Sequence, residues 1–401
     1  MKATPFLKST STRTIAHLNF VGFRAAVAAL EDSTLRGRPF VIAGQSGGRA
    51  TVLDLSRAAL NAGIIPGMAL SAAKWLIRDL PVVPPNPAAC QKVNKVLETV
   101  IARYAPVWQN DGGGNLFLDI SGTQKLFGPP VDCLNHVLGE VKQQTGLQTA
   151  SALAANKLTC KVASRTIRPV GFVDVEPGEE AAFLAHQNIA LLPGIGPRIM
   201  RTVAVAGFRE IGEIAALGDG EALSLFGKNG LLLRDAALGI DDTPVGSGVG
   251  KRRIERRADF PEDVIDDDII RGAIEALVES GGLEMRNEKL GMGSIRLGIR
   301  YSDGAEAHGF GKSKRLLVMN GEIMAVSCGI YKKTMNRRIR IRSIYLCFED
   351  LAPLGYQPDL FNLENETRDR RLQEAVDRIK NRFGAGKITK AASMPVYNYA
   401  N

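Results

Sequence analysis

The chain has 401 residues, 45% of them hydrophobic and 23% charged, which is the make-up of an ordinary soluble protein with room for two to four domains. Its net charge of +9 favours a polyanionic partner. No apolar run has the length of a membrane span, no secretory leader is evident, and five scattered cysteines without a Cys/His cluster speak against a disulfide framework or a zinc module; a cytoplasmic protein is expected.

The first dozen residues are polar and are expected to be flexible. An apolar strand is predicted over 14–22, and short strands over 37–43 and 50–54. Cys90, Val93, Leu97, Val100, Ile101 and Tyr104 form one helical stripe over 87–105. The stretch N-D-G-G-G-N-L-F-L-D-I-S-G-T, Asn110 to Thr123, then reads as a β-hairpin: a Gly-rich turn followed by alternating Leu116, Leu118 and Ile120. A helix start follows in A-A-N-K-L-T-C-K-V-A-S, Ala154 to Ser164.

Next comes L-P-G-I-G-P and an apolar-periodic helix within Ile189 to Phe208, a helix-hairpin-helix signature. Gly194 and Gly196 let the turn backbone approach a phosphate, the helix N-terminus offers free N–H groups, and Arg198 and Arg201 add charge. Such contacts hold DNA without reading its sequence. Residues 244–250 are small and Gly-rich, a linker, and 251–349 then read β-α-β-β-α-β. Strands are predicted near 251–259, 293–301, 306–318 and 337–348, with helices near 266–289 and 321–334. In the last strand Arg338, Arg340 and Arg342 alternate with Ile339 and Ile341. Together with Arg252, Arg253, Arg256, Arg257, Lys312, Lys314 and Arg315 they predict a basic sheet face for the DNA backbone. Finally, Thr367 to Phe383 form an amphipathic helix with Leu372, Ala375, Val376, Ile379 and Phe383 aligned, whose apolar face either packs on the body or docks a partner.

The order of these elements resembles the Y-family of translesion DNA polymerases. The resemblance implies an α+β right-hand architecture: palm (1–22 and 85–168), fingers (23–84), helix-hairpin-helix thumb (169–243), linker (244–250), ferredoxin-like little finger (251–349) and a C-terminal tail (350–401). In that family carboxylates of an Asp-x-Asp strand end and a Ser-x-Asp-Glu hairpin turn hold the catalytic metals. Here those positions carry Asn19, Val21, Gly114 and Asn115. The usually aromatic residue that screens the nucleotide sugar falls on Arg24, and the Tyr and Arg that grip the triphosphate fall on Arg57 and Leu60. Lys157 matches a lysine that reaches the triphosphate.

Two-metal phosphoryl transfer needs a compact cage of anionic oxygens. Asn19 and Asn115 are neutral, and Val21 and Gly114 offer no side-chain ligand. Asp111 lies nearby, but moving it to the turn tip takes a slip of three residues, which reverses the faces of the strand. No metal or other cofactor is therefore expected, and no catalytic residue.

Within the tail, Q-P-D-L-F resembles the bacterial sliding-clamp-binding consensus, with Leu360 and Phe361 as apolar anchors and Gln357 as a polar clasp. Members of the family that lack the acids look like ImuB, an accessory protein of bacterial mutasomes. The resemblance implies a non-catalytic DNA-repair protein. Its partners would be primer–template DNA, the clamp and a separate active polymerase. The alternative is an active, polymerase IV-like enzyme using Mg²⁺ with rearranged metal ligands.

Overall fold

The computed structural model describes residues 13–44, 50–246, 253–354, 363–384 and 388. The chain divides into two compact units: residues up to 250, apart from 44–51 and 69–71, and residues from 251 on together with those two short segments.

In chain order the first unit begins with β1 (Ile15–Asn19), α1 (Phe23–Glu31), β2 (Val41–Ala43), β3 (Val52–Leu55), α2 (Arg57–Asn61), α3 (Leu70–Leu76) and β4 (Val82–Val83). It continues through α4 (Pro87–Tyr104), β5 (Val107–Gly112), β6 (Asn115–Asp119), α5 (Gln124–Phe127), α6 (Pro130–Thr145), β7 (Ala150–Ala154), α7 (Lys157–Thr166) and β8 (Gly171–Asp174). Five helices close it: α8 (Glu180–Ala185), α9 (Pro197–Ala206), α10 (Ile211–Ala215), α11 (Asp219–Phe226) and α12 (Gly230–Ala237).

Five strands form the palm sheet in the order β5-β6-β1-β7-β8. Its central strand β1 is buried on both faces. Ala16, Leu18, Leu116 and Leu118 pack against Leu97, Val100 and Ile101 of α4 and Val137 of α6. The alternate residues Ile15, Phe117 and Ala152 pack against Cys160 and Ala163 of α7. Period-2 side-chain alternation thus puts His17, Asn19 and Asn115 on the α7 face. Helix α4 starts where expected, at Pro87, because the Asn86 side chain accepts the Ala89 N–H at 3.1 Å.

Two boundaries differ from the sequence reading. Strand β8, within the segment expected to be thumb, pairs in parallel with β7 and extends the palm sheet. The expected linker begins as packed chain: Val245 is buried in the α7-side palm cluster, and the Gly246 N–H donates to Gln109 Oε1 at 3.1 Å. Its remainder, 247–250, lies outside the described residues, as does the N-terminal dozen.

The second unit holds β9 (Ile254–Val264), α13 (Asp267–Asn287), β10 (Leu290–Tyr301), β11 (Glu306–Leu317), α14 (Asn320–Thr334), β12 (Ile341–Pro353) and α15 (Leu363–Phe383). Its antiparallel sheet has the order β11-β10-β12-β9. The inward residues, among them Ile295, Leu297, Ile344, Leu346 and Phe348, form one core with Ile274 and Leu277 of α13 and Ile323 of α14.

The strand expected over 337–348 runs instead from Ile341 to Pro353. Arg338 and Arg340 precede it, so only Arg342 of the three lies in the strand, although Arg338 and Arg340 still alternate in exposure with Ile339 and Ile341. The reason is the buried Ile341, which joins the core at the start of the strand next to a register shift.

Helix α15 also departs from its pattern. Leu372 is 64% and Phe383 58% exposed, whereas Asp377 and Lys380 are buried. Asp377 takes a two-pronged bond from Arg286 of α13 at 2.6 and 3.0 Å, and Lys380 donates to Glu279 of the same helix at 2.8 Å. Charge pairing out of water fixes this orientation, since an unpaired Glu279 on α13 would be costly.

Candidate functional site

Asn19 ends β1 and faces Asn115 directly across the sheet, with Ala150 of β7 on its other side. The register places together the positions where the metal ligands were expected. It does not leave them free. With its amide oxygen turned towards Arg168, Asn19 accepts from both Nη2 and Nε at 3.0 Å. A guanidinium therefore stands against the residue where a divalent cation would be held. The Asn115 amide donates to the carbonyls of Gly112 and Gly113 at 3.3 and 3.4 Å, folding back onto its own turn.

Gly114 closes the hairpin with φ of 81°. Its carbonyl accepts the Phe20 N–H at 2.8 Å. A Cβ built there would lie 2.7 Å from Phe23 Cβ and 2.8 Å from the Phe20 carbonyl oxygen. No L side chain fits this left-handed, back-filled position without moving backbone. Position 114 thus lacks both an acid and the space for one.

The nearby carboxylates are committed elsewhere. Asp54 accepts the backbone N–H groups of Arg24 at 2.8 Å and Ala25 at 3.4 Å, capping α1, and burial pushes its carboxyl above the ordinary range. Asp111 pairs with Lys161 at 3.3 Å. Asp119 accepts the Ser121 N–H at 3.0 Å. Among the described residues no group of three His, Cys, Asp or Glu side chains is placed to hold a metal. Two-metal chemistry does not fit these donors: two neutral amides, one engaged by a cation, cannot balance divalent ions.

Beneath the sheet lies a cationic layer. Lys157, at the start of α7, donates to Gln109 Oε1 at 2.7 Å and sits 5.0 Å above the Phe117 ring. Lys161 lies 5.7 Å from the same ring. His17 stacks on Phe117 at 4.3 Å, and its Nδ1 bonds Ser164 Oγ at 2.7 Å. Burial first, then the charges of Lys161, Arg165, Arg168 and Lys157, push His17 down to about 3, so it stays neutral. Neither His17 nor Arg168 was singled out from the sequence. Only the pairing of distant strands and the end of α7 brings them to Asn19.

The other candidate residues are spread over the surface. Val21 follows β1, and Arg24 and Arg57 are exposed at the starts of α1 and α2. Gly194 and Gly196 lead into α9, with open space where a Cβ would stand, and Arg198 and Arg201 are exposed on that helix. In the second unit Arg253, Lys312, Lys314, Arg338 and Arg340 are exposed, Arg315 pairs with Glu322, and Arg342 donates to Ser302 O at 2.7 Å and pairs with Asp263 at 3.5 Å. Arg256 pairs with Glu284, and Arg257 with Asp259 at 2.8 Å, so the basic sheet face is more neutralised than its sequence suggests. Arg252 and the whole clamp motif, Gln357, Leu360 and Phe361, lie outside the described residues. Among the described residues no helix is long and apolar enough to cross a membrane.

Comparison with known proteins bears on the family and the fold. Residues 18–165 match the impB/mucB/samB family, and residues 252–360 match that family's C-terminal domain; together the two matches span well over half of the chain. DNA polymerase IV of Alkaliphilus oremlandii is 26% identical over 90% of this chain and 94% of its own length. DNA polymerase IV of Caulobacter vibrioides is 25% identical over 98% of this chain and 96% of its own. Among solved structures, a Y-family DNA polymerase chimera of Dbh and Dpo4 has a TM-score of 0.72 at 18% identity, covering 85% of this chain and 100% of that one. DinB from Sulfolobus solfataricus, with the same coverage and identity, has a TM-score of 0.62. These likenesses carry the right-hand fold, and the two family matches carry the descent: the chain belongs to the impB/mucB/samB family of Y-family DNA polymerases.

Proposed function

We propose that this protein is a non-catalytic member of its family. It binds primer–template DNA and, through residues 357–361, a bacterial sliding clamp, and it supports synthesis across lesions by a separate active polymerase. The observation that carries this reading is the back-filled turn at Gly114, beside an Asn19 engaged by Arg168. Drift would leave a cage that lacks charge; here the cage has no room. The relatives named DNA polymerase IV favour the second reading, an active enzyme with rearranged ligands. Against it stands the structural employment of Asp54, Asp111 and Asp119.

A primer-extension assay with Mg²⁺ and with Mn²⁺ tests the reading, on protein shown to bind the same DNA. No incorporation above background is expected; template-dependent extension that persists through rigorous purification would falsify it. The clamp arm is tested separately. Leu360→Ala with Phe361→Ala should abolish micromolar clamp binding and leave DNA affinity and thermal stability intact. Normal clamp binding by that variant would make the motif a chance match.

A further inference from the structure

The solvent face of the little-finger sheet carries rings where a backbone-binding surface needs only charge. On β11, Glu306, His308, Phe310, Lys312 and Lys314 point outwards, and Phe310 is 57% exposed. Its flanking residues explain why it cannot turn in. A Cβ on Gly309 would meet Thr334 Oγ1 at 2.1 Å, and one on Gly311 would meet Ile330 Cδ1 at 2.8 Å. Directly beneath Gly309 and Gly311 the side chains of α14 leave no room for a Cβ, which disfavours a slip of one residue that would turn Phe310 inwards.

Across the sheet, Gly298 of β10 sits between His308 of β11 and Tyr345 of β12. A Cβ there would fall 2.1 Å from Tyr345 Cε1 and 2.3 Å from Cζ. The tyrosine ring therefore lies across the missing side chain and reaches over β10, so that its hydroxyl meets His308 Nδ1 at 3.1 Å. The two ring centroids are 6.1 Å apart. A glycine inside a strand marks such a close approach. Charge surrounds these rings: Lys312 and Lys314 have no ion pair among the described residues, Arg300 meets Glu306 only at 3.8 Å between exposed side chains, and Arg296 makes a two-pronged pair with Glu349 at 3.2 and 3.3 Å.

We propose that this face is a base-stacking platform for single-stranded nucleic acid, with Phe310 and the Tyr345–His308 pair as its two ring supports and the flanking Lys and Arg side chains on the phosphates. The proposal rests on the DNA-binding reading of this domain and adds the strandedness of the ligand. Residues 308 and 310 are about 7 Å apart along a strand, twice the roughly 3.4 Å rise of bases stacked in a duplex. The rings thus address bases that have been splayed apart, which a duplex does not present. Two rings flanked by Lys312 and Lys314, both without an ion pair among the described residues, suit base stacking with phosphate contacts better than a dry protein interface.

The test uses the full chain with a fluorescent oligo(dT) of about 16 nucleotides and a duplex of equal length. Phe310→Leu keeps apolar bulk and removes the ring. It should weaken oligo(dT) binding about tenfold and leave duplex binding within about twofold, while Phe310→Tyr retains both. With 5-iodouracil in the strand, irradiation should give adducts on peptides carrying Phe310 or Tyr345. Unchanged oligo(dT) affinity in Phe310→Leu, equal loss on both ligands, or adducts confined to other peptides would overturn the platform. Binding of neither ligand by the wild-type chain would remove the DNA-binding reading with it; duplex binding that ignores the rings removes the platform alone.

Discussion

Two glycines, one in the palm hairpin and one in the little-finger sheet, do opposite things. At Gly114 the missing side chain lets Phe20 and Phe23 close over the turn, and no room for a side chain is left. At Gly298 the missing side chain lets the Tyr345 ring lie down on the sheet. The first is hemmed in by a carbonyl and two Cβ atoms, which cannot yield without the backbone. The second is covered by the far end of an aromatic side chain, which can swing away. The palm turn is thus packed shut beside Asn19 and Asn115, while the outer sheet still faces water.

This contrast is open to direct attack. Gly114→Asp should cost roughly 4 kcal/mol of unfolding free energy, from left-handed strain plus overpacking, read as a fall in the urea midpoint. A loss under about 1 kcal/mol would mean that the hairpin yields and that the acid could return. The restoring set Asn19→Asp, Val21→Asp, Gly114→Asp and Asn115→Glu should for the same reason fail to bind Mn²⁺, as seen by electron paramagnetic resonance. The buried pair on α15 comes next. Lys380→Ala leaves Glu279 buried and alone and should cost roughly 3 kcal/mol, and pairing it with Glu279→Leu should recover much of that. Equal losses in the single and double variants would show that the helix is held by something else.

The palm also has an acid limb. His17 has an ordinary value of 6.5 and a folded value of about 3, so between those values the unfolded chain binds the extra proton. Stability contributed by the neutral ring is complete above about 6.5 and falls as pH drops towards 3, by roughly 1.4 kcal/mol per unit. His17→Gln should flatten this limb between pH 6 and about 4. Two stability curves of the same slope would place the proton elsewhere. The smallest effect belongs to the outer sheet. Gly298→Ala should cost only about 1 kcal/mol by thermal melting, since Tyr345 moves aside; a loss as large as that of Gly114→Asp would erase the distinction between the two glycines.

Much of this architecture is legible in the residues. The stripe of α4, the hairpin alternation through Leu116 and Leu118, and the six-element pattern of the second unit all carry their own periodicity. What failed depended on distant partners. Arg338 and Arg340 alternate like a strand, yet β12 begins only at Ile341, where core packing and a register shift decide the start. Leu372, Ile379 and Phe383 form a faultless apolar stripe on α15, but Arg286 and Glu279, about a hundred residues away, select the neighbouring face that carries Asp377 and Lys380, roughly a quarter-turn round the helix. At the site, three consecutive glycines announce a turn. Only the assembled palm reveals that Phe20 and Phe23 fill the space beside it, and that Arg168 arrives at Asn19 from the end of α7.

The ends of the thumb carry a separate consequence. Val175, where the chain leaves for the five helices α8–α12, and Val245, where it returns, are buried in one palm cluster with Phe117 and Ala154. At the same base Asn156 donates to Gly239 O at 2.8 Å, and Asp241 accepts the Leu158 N–H at 3.0 Å. The thumb is thus a lobe whose two ends are tied together, and its core of Leu184, Ile211 and Leu233 also takes in Val162 and Leu158 of α7. Lengthening or replacing such a lobe changes loop-closure entropy only slowly with length. Such a lobe can therefore change in length while its ends stay tied to the sheet that carries it, provided the face it turns to α7 is kept.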